Sequence, residues 1–140
     1  MHVTQYVARD LQETSDVAAS LAATLGAGDV VALHGALGSG KTAFIAAAVR
    51  SLVGDDVVTS PTFTFWHRYD GPPLVHHLDL YRVEDAADLA TIGLEDAFTN
   101  NAIVFIEWPE RGEGVVPDVS VHVTIAGAGD DPRTIEIMHA

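Results

Sequence analysis

The sequence predicts one α/β domain with a mixed sheet, and three observations carry that expectation. Two short apolar runs rich in β-branched residues, DVVAL (29–33) and AIVFIEW (102–108), read as buried parallel strands. Between and before them, apolar residues recur at helical spacing. Two late alternating runs, VSVHVTI (119–125) and RTIEIM (133–138), are joined by a Gly/Asp loop and read as further strands. With 140 residues, 48 % of them hydrophobic, the chain can bury one real core, and no repeat or interdomain linker divides residues 1–140.

Taken in order, residues 2–8 alternate weakly, as a strand does. From Thr14 to Leu25 the residues Val17, Leu21 and Leu25 form one apolar stripe, with Thr14 or Ser15 as the expected cap and Gly26 as the stop. A glycine-rich loop follows the strand 29–33. Then TAFIAAAVRSLVG reads as a helix from Thr42 to Val53, ended by Gly54. In TFTFWHRYD (62–70), Phe63, Phe65, His67 and Tyr69 are expected on one face of a single strand. Asp70-Gly71-Pro72-Pro73 is a turn signal, and LVHHLDLY (74–81) is the returning strand. VEDAADLATIGLEDAF (83–98) reads as two short helices broken near Gly93.

Charge narrows the function classes. The formal net charge is −13 and the pI about 4.6. Such a surface repels a phosphate backbone, so direct nucleic-acid binding is not expected. It also disfavours docking to anionic membranes and suits a basic protein partner. Cysteine is absent, which excludes disulfides and thiolate metal sites. The N-terminal MHVTQYVARDLQ is polar and alternating, unlike a secretory leader, and no apolar run approaches the roughly 20 residues that span a bilayer. A cytoplasmic location is the expectation.

The loop holds the chain's one lysine, Lys41. Gly35-Ala36-Leu37-Gly38-Ser39-Gly40-Lys41-Thr42 matches G-x-x-x-x-G-K-[ST], the phosphate-binding P-loop, and lies between a strand and a helix, as its mechanism requires. Gly35, Gly38, Ser39 and Gly40 let successive backbone N–H groups face phosphate oxygens. The helix start, with Ala43 and Phe44 next in line, adds its partial positive charge. Lys41 would reach the β- and γ-phosphates, and the Thr42 hydroxyl would ligate Mg²⁺. Arginine could not replace Lys41, because the cradle takes a compact ammonium and not a planar fork. ATP or ADP with Mg²⁺ is the implied cofactor. Two strands end in an acid, LVHHLD in Asp79 and AIVFIE in Glu107, and either could hold the metal directly or through water.

GALGSGKT, SPTF (60–63), HLDLYR (77–82) and IEWPE (106–110), in this order and spacing, resemble the bacterial TsaE (YjeE) ATPase family. Only the first of these motifs is generic, and the resemblance runs from the first helix to PRTIEI. It implies a P-loop NTPase three-layer sandwich with a mixed sheet that includes antiparallel strands. It implies slow ATP hydrolysis in support of N6-threonylcarbamoyladenosine synthesis on tRNA. The implied partners are the threonylcarbamoyl-transferase and its pseudo-enzyme companion. By the same resemblance, Lys41 and Thr42 hold phosphate and Mg²⁺, and Ser60 and Thr62 lie in a switch-like segment facing the γ-phosphate. Asp79 is the Walker-B-like acid and Glu107 a second carboxylate beside Mg²⁺. Trp108 acts by stacking or at the partner surface, and Leu11 and Arg133 flank the nucleotide. Two positions depart from the family's G-D-L-G-A-G-K-T-T: Ala36 replaces its Asp and Ala43 its second Thr. Losing the acid at the loop's mouth is expected to slow hydrolysis without abolishing binding.

Other features have ordinary explanations. His76 and His77 fall on opposite faces of a strand, so one is expected at the core margin and one outside, with no metal-ligand company. Trp66 is expected to pack. The acidic EDAADLATIGLED reads as a solvated face. Two other functions compete with an ATPase: a small-molecule P-loop kinase and a nucleotide-gated binding module without turnover. The arginines after the loop are scattered, which argues against a kinase lid, and no N-K-x-D guanine-reading motif is present.

Overall fold

In the computed structural model, residues 2–54, 59–63, 65–99 and 101–140 are described, with residues 59–63 as backbone only. Eight strands form one sheet: β1 (His2–Ala8), β2 (Val30–His34), β3 (Thr59–Phe63), β4 (Trp66–Tyr69), β5 (Leu74–Asp79), β6 (Ala102–Glu107), β7 (Val121–Ala126) and β8 (Arg133–His139). Their spatial order is β1-β8-β7-β2-β6-β5-β4-β3. The four central strands, β7, β2, β6 and β5, run parallel. β8 and β1 extend one side antiparallel, and β4 and β3 the other. The mixed sheet expected from the sequence is therefore present.

The period-two alternation of the central strands creates two cores. Val31, Leu33, Val75, Ile103 and Phe105 point to the face covered by helices α1 (Leu11–Ala22) and α2 (Lys41–Val53). Val30, Leu78, Val104 and Ile106 point to the other face. There they meet Leu89 of the short helix α3 (Ala87–Thr91) and Leu94 and Ala97 of a 3₁₀ turn (Leu94–Phe98). Gly93, at φ 76°, separates these last two elements, where the sequence places the break.

Two local expectations are corrected. Helix α1 starts at Leu11, not at Thr14 or Ser15. Asp10 accepts the Glu13 N–H at 2.9 Å, while the Glu13 carboxylate reaches back to the Arg9 N–H at 2.7 Å. Two orphan donors are thus satisfied reciprocally, as in a capping box, and Thr14 is freed to be buried inside the helix. The second correction concerns residues 62–70, which are not one strand. Phe63 pairs with Trp66, so the chain reverses between them and β3 lies antiparallel to β4. Phe65 then packs with the α3-side core, whereas Tyr69 packs with the α1/α2 core. No Gly, Pro, Asn or Asp marks that reversal in the sequence.

Buried imidazoles make stability pH-dependent. His76 is 5 % exposed and its Nδ1 accepts the Trp66 indole N–H at 2.9 Å. Burial first, and then the Arg68 charge, hold its pKa below the ordinary 6.5, with Asp70 opposing. His34 is lowered by burial and by its stacked neighbour His122, and His67 by burial and by His77. A group whose folded pKa is depressed binds its proton less readily than in the unfolded chain. Stability from these three is complete above the unfolded value near 6.5 and is lost as pH falls through the folded values. Each contributes a slope of up to about 1.4 kcal/mol per pH unit between its two pKa values. Urea unfolding should show constant stability from pH 7 to 8 and a decline below about pH 6.5. Equal midpoints at pH 8 and pH 5.5 would contradict this.

Candidate nucleotide and metal site

Residues 35–40 connect β2 to α2 at the end of the parallel strands, where open α/β sheets bind ligands. The tight path of the loop needs glycine at Gly35. A Cβ there would lie 2.5 Å from the Ile125 carbonyl oxygen and 2.6 Å from Ser39 Oγ. Gly35→Ala should therefore cost about 1–3 kcal/mol in unfolding free energy, the usual range for overpacking. An unchanged urea midpoint would show that the loop is not held this tightly. The Ser39 N–H closes a turn on the Ala36 carbonyl at 3.1 Å, and Gly40, at φ 106°, leads into the helix. The first intrahelical bond runs from the Phe44 N–H to the Gly40 carbonyl at 2.9 Å, so the N–H groups of Lys41, Thr42 and Ala43 have no partner within α2.

Phe44 does not belong to the site by its side chain. It is fully buried in the α1/α2 core, where it anchors α2, and its N–H donates to the Gly40 carbonyl. Arg133 holds the loop. Its Nε donates to the Ser39 carbonyl at 2.8 Å, and other guanidinium nitrogens reach the carbonyls of Asp131, Gly129 and Gly38. With its donors committed to backbone, Arg133 orients the cradle. The loop separates two clefts. One, of about 260 Å³, is lined by Lys41, Thr42, Asp79, Tyr81, Glu107 and Trp108. The other, of about 420 Å³, lies toward the start of α1 between Leu11, Ser39, Ala43 and Arg133. A larger cleft of about 560 Å³ opens beside Asp79 over Phe65, Leu89 and Ile92, but no P-loop residue lines it.

Sheet register brings the acids to the lysine. β5 and β6 are parallel with Asp79 opposite Glu107, and Glu107 also pairs with Leu33 of β2, two residues before the loop. Thr42 Oγ1 donates to Glu107 Oε1 at 2.8 Å, and the Thr42 lone pairs stay open toward the cleft. Glu107 is 3 % exposed. Burial pushes its pKa up, but hydrogen bonds from His77 and Thr42, with the charges of His77 and Lys41, outweigh this and hold it below 4.5. Asp79 accepts the Tyr81 N–H at 3.2 Å. Lys41 Nζ donates to the Gly35 carbonyl and lies 3.6 Å from the centre of the Trp108 ring. Burial lowers its pKa, against the charges of Glu107, Asp79 and Glu110. Trp108 adopts the left-handed conformation (φ 58°), uncommon for a bulky residue, and its ring also meets Tyr81 at 5.0 Å between centroids.

These residues fit a Mg²⁺-nucleotide. Among the described residues the buried Ser39 hydroxyl has no hydrogen-bond partner, and the N–H groups that open α2 have none within the helix. The Thr42 hydroxyl beside the Glu107 carboxylate is an oxygen donor set that suits Mg²⁺, which keeps waters and takes phosphate oxygens. The side chains of Ser60 and Thr62 lie outside the described structure; their backbone forms part of β3.

Opposite strand faces would leave one of His76 and His77 outside, but neither is: His76 is buried and His77 is nearly so. His77 is nearly buried, with its Nε2 2.8 Å from Glu107 Oε2. The signal was available: His77 precedes Asp79 by two residues, so a strand puts both on one face. Tyr81, which covers Trp108, was also not singled out.

A family model described as threonylcarbamoyl adenosine biosynthesis protein TsaE matches residues 8–135. Over 125 residues the chain is 37 % identical to the tRNA threonylcarbamoyladenosine biosynthesis protein TsaE of Bacillus subtilis (strain 168), covering 89 % of this chain and 78 % of that protein. Over 131 residues it is 32 % identical to the protein of the same name from Treponema pallidum (strain Nichols), covering 94 % and 97 %. The fold matches the crystal structure of Bacillus subtilis YdiB with a TM-score of 0.79 at 30 % identity, over 99 % of this chain and 86 % of that one. With the match running through nearly the whole length of the chain, it belongs to the TsaE family.

Proposed function

We propose that this protein binds Mg²⁺-ATP in the cleft at Lys41, hydrolyses it slowly, and through that cycle supports threonylcarbamoyladenosine modification of tRNA by a threonylcarbamoyl-transferase and its pseudo-enzyme partner. The observation that carries this reading is the Lys41–Thr42–Glu107 constellation at a complete P-loop. Backbone N–H groups of the loop and of the first turn of α2 hold phosphate oxygens. Lys41 leaves the Gly35 carbonyl and the Trp108 face to meet the β- and γ-phosphates. Thr42 offers its lone pairs to the metal while its O–H goes on donating to Glu107. Bound Mg²⁺ supplies neutralisation of the charge that develops on the transferred phosphoryl group. Asp79, on the same face as Glu107, orients water at the cleft.

A net charge of −13 opposes a polyanion, so the chain acts by docking on a protein and does not bind tRNA on its own. No helix among the described residues is long and apolar enough to cross a membrane, and the place of action we assign is the cytoplasm. The test is phosphate release from ATP with and without the transferase proteins. Slow release that rises or changes with the partners supports the reading. Phosphate transfer to a small-molecule acceptor would establish a kinase. Tight nucleotide binding without turnover in any combination would establish a binding module.

A further inference from the structure

We infer that His77 is a positioning residue for the metal: it fixes the rotation of the Glu107 carboxylate and thereby the direction in which Thr42 presents its lone pairs. This rests on the Mg²⁺-nucleotide reading of the cleft.

Glu107 has one partner on each oxygen, Thr42 Oγ1 on Oε1 and His77 Nε2 on Oε2, both at 2.8 Å. A carboxylate only accepts, so Nε2 carries the proton in this contact. The two bonds pin the carboxylate plane from opposite sides. Thr42 has a single proton to donate, and the direction of that donation decides where its lone pairs point. If Glu107 turns about its last bond, the Thr42 hydroxyl turns with it. A hydroxyl aimed at a cation is then replaced by one free to rotate. His77 can hold this position because it is fixed in turn. It lies on β5 between Phe105 of β6 and His67 of β4, each directly opposite in register. The His67 ring is 6.1 Å away, and the side chain of His77 is only 12 % exposed. Outer partners of this kind typically change metal affinity about 10- to 100-fold when removed.

Reach separates this from a packing role. Glutamine at position 77 can bring an amide N–H to the place of Nε2, whereas asparagine is one methylene shorter. Both are neutral amides. The measurement is ADP affinity by titration calorimetry, once with Mg²⁺ and once with EDTA, for His77→Gln and His77→Asn, with thermal unfolding alongside. The expected result is a Mg²⁺-dependent gain in affinity that is reduced about 10-fold or more in His77→Asn and kept within about threefold in His77→Gln. Affinity in EDTA should be unchanged in both. In a Glu107→Gln background the difference between the two variants should vanish. Equal Mg²⁺-dependent gains in both variants, or equal losses that follow only the unfolding temperature, would overturn the assignment. Absence of any Mg²⁺-dependent gain in the wild-type protein would instead overturn the cofactor reading beneath it.

Discussion

Glu107→Gln is expected to lower ATP turnover by about two orders of magnitude or more while the protein stays folded. Among the described residues Glu107 is the carboxylate that accepts a hydrogen bond from a P-loop hydroxyl, and it is buried. Charge stabilisation in metal-assisted phosphoryl transfer is worth several kcal/mol, and about 1.4 kcal/mol is a factor of ten in rate. Losing roughly half of such a contribution gives the stated effect. The amide is isosteric and still accepts one hydrogen bond, but it turns an N–H toward either Thr42 or His77, which both donate. A local rearrangement worth about 1–3 kcal/mol of stability is therefore expected, well short of unfolding. Asp79→Asn should lower turnover too, but less, since its carboxylate accepts a backbone N–H from Tyr81 and an amide oxygen can do the same. Single-turnover phosphate release at saturating Mg²⁺ measures both. Turnover within threefold of wild type for Glu107→Gln would mean that the metal acid lies elsewhere.

The parts of this fold that could be read from the sequence are those where one segment carries its own explanation. VVAL and AIVFI are apolar on both sides, because the strands they form are covered on both faces, and so they announce themselves as central and parallel. The P-loop is local as well: its glycines, its lysine and its helix lie together in residues 35–53. The reversal between Phe63 and Trp66 carried no such mark. It is a local hairpin between β3 and β4 with no turn-forming residue at its tip, and an aromatic-rich alternating run fits one long strand as well as two short ones. The start of α1 was misplaced for a different reason. Thr14 looks like a cap by type, but Asp10 with Glu13 satisfies two donors where a threonine satisfies one.

The site divides in the same way. Lys41 and Thr42 follow from the motif, and Asp79 and Glu107 from strand ends. Which acid meets Thr42 depends on sheet order. β6 lies directly beside β2 and β5 lies one strand further, so Glu107 receives the hydroxyl. Arg133, expected to flank the nucleotide, also holds the P-loop through the Ser39 and Gly38 carbonyls, a role that only the closeness of β8 to residues 38 and 39 reveals.

Lys41→Ala is expected to weaken Mg²⁺-nucleotide binding about 100-fold. A unit charge 4 Å from a phosphate oxygen, at an effective dielectric constant of about 20, gains about 4 kcal/mol. Part of this is offset, because Lys41 must first leave its present partners. Its ammonium donates to the Gly35 carbonyl and lies over the Trp108 ring, a cation–π contact of about 0.5–2 kcal/mol. The difference, between about 2 and 3.5 kcal/mol, corresponds to a factor of roughly 30 to 400. The same contacts predict that stability changes little. Removing the side chain forfeits the Trp108 contact but also removes a charge that is 5 % exposed and whose desolvation opposes folding. Arginine should not rescue binding, since the cradle takes a compact ammonium and not a planar fork. Because Lys41 is the chain's one lysine, an amine-reactive probe should modify only it and the N-terminus, and ATP should protect Lys41 while leaving the N-terminus reactive. Equal nucleotide affinity in the wild-type and alanine proteins, together with labelling of Lys41 that ATP does not slow, would place the nucleotide outside this loop.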